Sequence, residues 1–193
     1  MASCRVTAGV SCASCNEIRT KAGVYHEVYL VNIDDLDTTQ GFQGFSFTAE
    51  LDGATVITGI NLEAYSYAYK FCMKKASGGN TNELQLTDNG FKFWNTTFTG
   101  VFIPNDRTAR ATYDELVGGN FALIARDFSS RFWVIGYADG VELTAATQAT
   151  GVAPGDPAGF NFTFSGPVDQ LPPQIDLGGY AATFNYLESL LEA

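Results

Sequence analysis

The sequence has little charge and almost no histidine, and both shortages narrow what the protein can do. Only 17% of its 193 residues are charged, against about 25% in an average soluble domain. His26 is the one histidine, so no histidine-based metal triad can form, and a Ser-His-Asp relay would have to use this residue. Because His26 lies in a strand-like segment, we expect it to be structural.

The common catalytic and nucleotide-binding motifs are also absent. No GxGxxG follows a strand, and the sequence contains neither a GxxxxGK loop nor a GxSxG turn before a helix. Asp34, Asp35 and Asp37 form a small carboxylate cluster, but the twelve-residue calcium loop that ends in glutamate is missing. We therefore expect a solvated turn at these aspartates, and no enzyme activity, cofactor or bound metal.

Basic residues are scarce. Lys and Arg number 11 against 21 Asp and Glu, which gives a net charge of −10. Proteins that bind duplex nucleic acid or anionic membranes use basic patches, so both classes are disfavoured. No window of about 18 apolar residues could span a membrane. The first residues lack the continuous apolar stretch of a secretory signal, so none is expected.

Four cysteines raise the question of a metal or redox site. They are Cys4, Cys12, Cys15 and Cys72. Three lie close together and one is distant, which is not the paired CxxC spacing of a zinc site. Free thiols in a reducing cytoplasm are the favoured interpretation, while a disulfide and a metal site remain alternatives.

Aromatic residues are abundant, with 15 Phe, 9 Tyr and 2 Trp, and they alternate with small or polar residues as in strands. Strands are predicted at 25–33, 45–51, 54–60, 83–87, 91–103, 121–126, 131–137, 141–148 and 159–166. The strictest alternation is at 64–71, where every second residue is aromatic, and this face should pack in the core or on another subunit. Residues 74–82 are predicted to form a polar loop.

Turn residues indicate that hairpins join many of these strands. Asp52-Gly53, Asp88-Asn89-Gly90 and Asp139-Gly140 each favour a tight turn. The sequence thus predicts a single, mainly β domain, with an N-terminal arm at 1–24 and a C-terminal extension at 168–193. The predicted architecture is a β-sandwich or barrel with a helical insertion.

Two helices are predicted beside the strands. In the first, Tyr113, Leu116 and Val117 share a face, and Gly118-Gly119 end it. In the second, apolar residues recur with helical spacing from Tyr180 to Leu191. The second carries Glu188 near its C-terminus, where an anion is unfavourable, so docking should stabilise it more than its own propensity does.

One part of the sequence resembles a known family. Residues 136–143 read GYADGVEL, and residues 150–166 read TGVAPGDPAGFNFTFSG. This order is similar to that of tail tube proteins of long-tailed bacteriophages, particularly phages of Bacteroidota. The resemblance covers about 1–36 and 120–166. Phe160 stands where the family usually has tyrosine, and residues 168–193 run beyond the expected end.

The resemblance implies an assembling structural protein of the virion tail, made in the host cytoplasm. Each subunit would be a β-sandwich or half-barrel with one flanking α-helix. Six subunits would form a ring whose inner strands join into one closed β-barrel, and stacked rings would form a conduit that DNA crosses without specific binding. The implied partners are further copies of the chain, together with terminator, tape-measure and baseplate proteins. Alternatives are a capsid decoration protein, a head–tail connector or a non-catalytic carbohydrate-binding module.

Particular residues are assigned to these expected surfaces. The loop rich in small residues at 149–158 and the strand after it should meet a neighbouring subunit, and the candidate interface residues are Gly151, Gly155, Asp156, Gly159 and Phe160. Alternation in two hairpins leaves a polar face toward the channel, and the candidate lumen residues are Glu50, Asp52 and Glu83. An acidic lumen would keep DNA from adhering.

Overall fold

The computed structural model describes residues 23–49, 55–74, 77–103, 107–149 and 159–191, and this part of the chain is mainly β with two α-helices. The strands are β1 (Val24–Asn32), β2 (Phe45–Ala49), β3 (Thr55–Ile60), β4 (Tyr69–Met73), β5 (Gly79–Leu86), β6 (Lys92–Ile103), β7 (Asn120–Asp127), β8 (Phe132–Ile135), β9 (Val141–Ala149), β10 (Gly159–Val168) and β11 (Gln174–Ile175). The helices are α1 (Arg107–Glu115) and α2 (Tyr180–Ser189).

Six strands form a closed cycle of antiparallel pairings within the chain. The order is β1-β4-β6-β10-β9-β7, and β7 pairs back with β1. Two junctions are short: β4 and β6 share two residue pairs, and β9 and β7 share two. The chain therefore forms a small barrel closed by its own strands, and a barrel closed by neighbouring copies stays a prediction. Closure leaves no free edge within the cycle itself.

The barrel interior explains the alternating apolar residues. Because successive side chains on a strand point to opposite faces, every second residue of the six strands can enter one core. Phe98 and Phe102 of β6 and Phe164 of β10 are fully buried there. Tyr113 and Leu116, from α1 and the 3-10 turn Leu116–Gly118, are also buried in this core. The ring of Tyr113 contacts that of Phe102, with centroids 6.5 Å apart.

A second core lies on the outer face of β1 and β7. The residues that alternate with those of the barrel interior, such as Tyr29 and Ile124, are buried here instead. From β7 the sheet continues through β8, β11, β3 and β2, and α2 contributes the fully buried Leu187. Strands β1 and β7 thus have apolar side chains on both faces, which is why each contains an unbroken apolar run, Val28–Val31 in β1 and Phe121–Ala125 in β7.

Most of the predicted elements are confirmed. The segments at 25–33, 91–103, 121–126 and 159–166 correspond to β1, β6, β7 and β10. Both predicted helices are present as well. Val117 is the exception on the first helix: it is 67% exposed, because the chain passes from α1 into the 3-10 turn at Leu116 and the helical spacing ends there.

The predicted strand at 64–71 is wrong over its first half. Residues 64 and 65 form a turn, Tyr65 has a φ of 69° and is 93% exposed, and β4 begins at Tyr69. Of the aromatic face, Phe71 packs against the barrel core, whereas Tyr65 and Tyr69 are exposed. Instead Ala68, from the small-residue face, is buried, and its N–H donates to the Leu190 carbonyl at 2.9 Å. This contact with the end of α2 overrides the local alternation.

The predicted polar loop at 74–82 is wrong from Gly79 onward. β5 begins there and pairs with β6 from Gly79–Thr99 to Leu86–Lys92. Its residues have low strand propensity. The tight turn at Asp88-Asn89-Gly90 nevertheless sets the register between β5 and β6, and the pairing continues from this turn back to Gly79. Among the described residues, no helix is long and apolar enough to cross a membrane.

Candidate assembly surface

The tip of the β5–β6 hairpin extends past the neighbouring strands of the sheet. The last pair between β10 and β6 is Val168–Trp94, so residues 84–94, with the Leu84–Trp94 pair at the base, form a two-stranded arm that only its own turn closes. Gly90 has a φ of 81°, and its N–H donates to the Thr87 carbonyl at 2.9 Å. The Phe91 N–H donates to the Thr87 hydroxyl at 3.1 Å, which completes the turn.

This arm carries large apolar side chains in contact with solvent. Leu84 is 55% exposed, Leu86 is 66% exposed and Phe91 is 74% exposed. Leu84 and Leu86 are two residues apart on β5 and therefore share a face, on which Trp94 lies opposite Leu84. Single exposed leucines are ordinary, but three large apolar side chains on one small hairpin point to a partner surface.

A buried polar contact fixes the base of the arm. Thr96 is fully buried on β6, and its hydroxyl lies 2.7 Å from Oδ1 of Asn82 and 3.2 Å from Oδ1 of Asn80. The hydroxyl has one proton to donate, so Asn82 is the closer acceptor. The contact holds β5 in register against β6 and orients the residues beyond it.

Two strands of the sheet have an unpaired edge within the described ranges. β5 pairs with β6 alone, and β2 pairs with β3 alone. Unpaired edges carry free N–H and C=O groups that can accept a further strand. β5 therefore combines an open edge with the exposed apolar face of the arm.

The candidate interface residues are only partly within the described ranges. Gly151, Gly155 and Asp156 lie outside them. Gly159 begins β10 with a φ of 151°, and a Cβ there would lie 2.9 Å from the Phe102 carbonyl oxygen, so this strand start requires glycine. The ring of Phe160 lies 4.7 Å from that of Tyr113. Both residues have contacts inside the subunit, and their role between subunits stays a prediction.

The candidate lumen residues are similarly divided. Glu50 and Asp52 lie outside the described residues. Glu83 is exposed on β5, opposite Asn95 of β6. Because it alternates with Leu84, its side chain lies on the other face of the hairpin from the apolar residues. Its place in a channel stays a prediction.

A network of charged and hydroxyl groups joins α2 to the barrel. Lys70 Nζ lies 2.8 Å from Glu188 Oε1 and 3.3 Å from Glu27 Oε1, and the Tyr29 hydroxyl donates to Glu188 Oε1 at 2.6 Å. The carboxylate near the helix end is thus stabilised by partners on β1 and β4, as the predicted docking requires.

Burial and hydrogen bonding oppose each other in this network. Burial alone would raise the pKa of Glu188, but the hydrogen bonds from Lys70 and Tyr29 outweigh it and lower that pKa. Burial would likewise lower the pKa of Lys70, yet its bonds to Glu188 and Glu27 together raise it. Burial, followed by the bond to Glu188, raises the pKa of Tyr29 well above its ordinary value.

Asp35, Asp37 and His26, which the sequence offered as candidate chemical groups, each contact residues close to them in the chain. Asp37 accepts hydrogen bonds from the Thr39 hydroxyl and N–H, which lower its pKa, and from Gln40. Asp35 accepts from Asn32 at 2.7 Å. The rings of His26 and Tyr25 are in contact, with centroids 4.2 Å apart and planes tilted by 45°. In the described part of the chain no three His, Cys, Asp or Glu residues are grouped to hold a metal ion.

Of the four cysteines, Cys72 lies within the described residues. Cys72 on β4 is free and exposed, while Cys4, Cys12 and Cys15 lie outside the described residues. The structure gives Cys72 no disulfide partner among the described residues, and for the other three cysteines the free-thiol interpretation stays a prediction.

Sequence reasoning missed the two features that the structure makes prominent. The sequence predicts a hairpin here and assigns Glu83 of its polar face to a channel, but it gives no role to the apolar face, although the spacing of Leu84 and Leu86 places both on one face. The partners of Glu188 could not be found, because Lys70 is 118 residues away and no local pattern links the two.

No known family model, curated protein or solved structure matches this chain.

Proposed function

We propose that this protein is a structural subunit that self-assembles into stacked six-membered rings, which form the tube of a bacteriophage tail through which DNA passes. The observation that carries the proposal is the hairpin arm, whose three large apolar side chains face solvent beside an open strand edge. A lone subunit gains nothing from such an arm, whereas a neighbouring copy can bury it.

The charge of the chain supports a conduit more than a nucleic-acid binder. A net charge of −10 repels phosphates, and a channel without fixed cations gives DNA no salt-dependent sites on which to stop. Because only 17% of the residues are charged, uncharged surface also remains for contact between copies. A ring of six such subunits would carry Glu83 and the other candidate lumen acids toward its axis.

The motif shared with tail tube proteins gives the proposal its specific form. Its glycines at 136, 140 and 166 meet in the fold. A Cβ on Gly140 would lie 2.0 Å from Asn120 Oδ1, and one on Gly166 would lie 2.7 Å from the Gly140 carbonyl oxygen. The motif therefore places the turn before β9 in close contact with the far half of β10.

Electron microscopy and sedimentation of the purified chain at increasing concentration test the proposal. Rings or tubes are expected. A single monomer species at every concentration, together with no incorporation into phage particles, would contradict it. Dispersed monomers that bind to preformed capsids would instead favour a decoration protein.

A further inference from the structure

An open groove lies at the end of the barrel where β1 begins, and its volume is about 420 Å³. Its floor consists of Val24, Ala125 and Ile135, which belong to the barrel core. Its walls include the polar or aromatic side chains of Asn80, Asn82 and Trp133. Small-molecule sites typically have volumes of about 300–1,000 Å³ and combine an apolar lining with a few converging polar groups. The groove has both properties.

Hydrogen bonds hold Trp133 in one orientation at the wall of the groove. The half-buried indole donates through Nε1 to Asp127 Oδ2 at 3.1 Å, and Arg131 Nε donates to the same oxygen at 3.1 Å. The N–H groups of Ser129 and Arg131 donate to Asp127 Oδ1. Asp127 is the one charged side chain among the described residues of the lining, and both of its oxygens are already bonded. Trp133 therefore gives the groove a fixed aromatic surface without a free charge beside it.

Two side-chain amides of β5 supply hydrogen-bond donors to the groove. Asn80 and Asn82 are two residues apart and therefore share a face of the strand. Their Oδ1 atoms lie 3.2 Å and 2.7 Å from the hydroxyl oxygen of Thr96, so their Nδ2 groups point away from it. Neither Nδ2 has a hydrogen-bond partner among the described residues. Each of these groups has two N–H bonds that a ligand can satisfy.

A second opening of about 350 Å³ adjoins the groove, because Trp133, Leu171 and Pro172 line both. The second opening repeats the same chemistry, with an aromatic ring beside uncharged amides. These side chains are Tyr137, Gln170 and Gln174. No charged side chain occurs among the described residues of its lining. The two openings together suit an uncharged ligand that is longer than one ring.

We propose that the groove binds an uncharged oligosaccharide, with one sugar ring against Trp133 and its hydroxyl groups bonded to the amides of Asn80 and Asn82. The C–H groups on one face of a pyranose ring carry slight positive charge, and the face of an aromatic ring is negative. Sugar hydroxyl oxygens accept hydrogen bonds from amide N–H groups. The next sugar unit lies in the second opening. This inference goes beyond the tube and concerns the single subunit.

Other classes of ligand fit the lining less well. An acyl chain would leave the amide donors of the groove without acceptors, which is costly. A nucleic acid would bring phosphates to a chain with a net charge of −10, and the nearby Arg131 is already bonded to Asp127. A nucleoside has no phosphate and can also stack on tryptophan, so the test includes this class as a competitor.

Calorimetric titration of the full chain with maltotriose, cellotriose and chitotriose tests the proposal, with adenosine and thymidine titrated in parallel. We expect at least one of the three sugars to bind. Titration to about 10 mM would nearly fill a site with a dissociation constant of about 1 mM. No binding of any sugar over this range would overturn the proposal. Tighter binding of a nucleoside than of every sugar would also overturn it.

A matched pair of substitutions locates the bound sugar. Asn80→Asp keeps the size of the side chain but removes both N–H donors, and we expect it to weaken sugar binding about tenfold. Asn161→Asp makes the same change at an exposed position on β10 outside the groove and should leave the affinity unchanged. Equal affinities in the native chain and both variants would overturn the proposed site.

Tryptophan fluorescence gives a second readout that leaves the residues of the groove intact. The chain has two tryptophans, so Trp94→Phe makes Trp133 the only one. We expect the emission of Trp133 to move to shorter wavelength as the sugar binds, with the same midpoint as the heat signal of that variant. A heat of binding without any change in this emission would place the sugar elsewhere and overturn the proposal.

Discussion

The Tyr29 hydroxyl on β1 donates a 2.6 Å hydrogen bond to the carboxylate of Glu188 on α2, a residue 159 positions later in the chain. The same carboxylate oxygen accepts from Lys70 of β4 at 2.8 Å. One oxygen thus connects two barrel strands to the C-terminal helix. Since α2 also buries Leu187 in the outer core, a polar contact and an apolar contact both hold α2 against the barrel.

Replacing Glu188 by glutamine should destabilise the fold. The amide keeps the shape of the side chain but loses the charge that Lys70 and Tyr29 bind, and we expect a cost of about 1 kcal/mol for this partly exposed site. Chemical denaturation of the two proteins measures the difference. Glu142→Gln, at an exposed position on β9, is the control and should change stability by less than about 0.5 kcal/mol. Equal effects of the two substitutions would mean that the network stabilises nothing.

The same network should make stability depend on pH at both extremes. The pKa of Glu188 is lowered in the fold from its ordinary value of 4.5, so its contribution is complete above 4.5 and is lost as the pH falls through the folded value. The pKa of Lys70 is raised from 10.5, so its contribution is complete below 10.5 and is lost as the pH rises through the folded value.

Denaturation of the native protein and of Glu188→Gln across the acid range checks the first half of this statement. The stability difference between them should shrink as the pH falls below 4.5. A stability difference that stayed constant to low pH would show that the charge of the Glu188 carboxylate does not stabilise the docking of α2.

Local patterns predicted the elements whose local and tertiary requirements agree. Phe160, Phe162 and Phe164 alternate because one face of β10 fills the barrel, and this was visible in the sequence. The failure at Tyr65 and Tyr67 has a different origin. Their alternation is as regular, but the neighbouring Ala68 is held by the Leu190 carbonyl of the C-terminal segment, and no local window contains that contact.

The closure of the barrel was beyond local reasoning for a similar reason. It depends on β1 pairing with β7, about a hundred residues later, and on two short junctions that leave no periodic trace. Of the candidate surface, the hairpin was predictable from its turn. Its exposure was not, because the sequence does not say that β10 stops pairing at Trp94.

Removing the ring of Phe164 should be far more damaging than any surface change. This side chain is fully buried in the barrel, and Phe164→Ala should cost about 3–5 kcal/mol through lost burial and an unfilled cavity. Thermal or chemical unfolding measures it. Phe164→Leu refills part of the space and should recover more than half of the loss. A cost below about 1 kcal/mol would mean that the interior rearranges freely around this position.

The buried hydroxyl of Thr96 should matter in a smaller and more specific way. Thr96→Val keeps the volume but removes the donor to Asn82, and we expect a loss of about 1 kcal/mol because a polar group is left without its partner. Combining it with Asn82→Leu should recover part of the loss in a double-mutant cycle. Additive losses in that cycle would show that the two side chains act independently.

A substitution on the apolar arm can separate an effect on assembly from an effect on folding. Phe91 is 74% exposed at the tip of the arm, whereas Tyr65 is 93% exposed on a turn elsewhere in the molecule. Neither ring supports the core, so serine at either position should change the free energy of unfolding by less than about 0.5 kcal/mol. If neighbouring copies bury the arm, Phe91→Ser should reduce self-association while Tyr65→Ser leaves it intact. Sedimentation velocity over a concentration series measures both variants beside the native chain. Equal weakening of association by the two substitutions would point to general surface stickiness, and unchanged association by Phe91→Ser would mean that the arm is not a contact between copies.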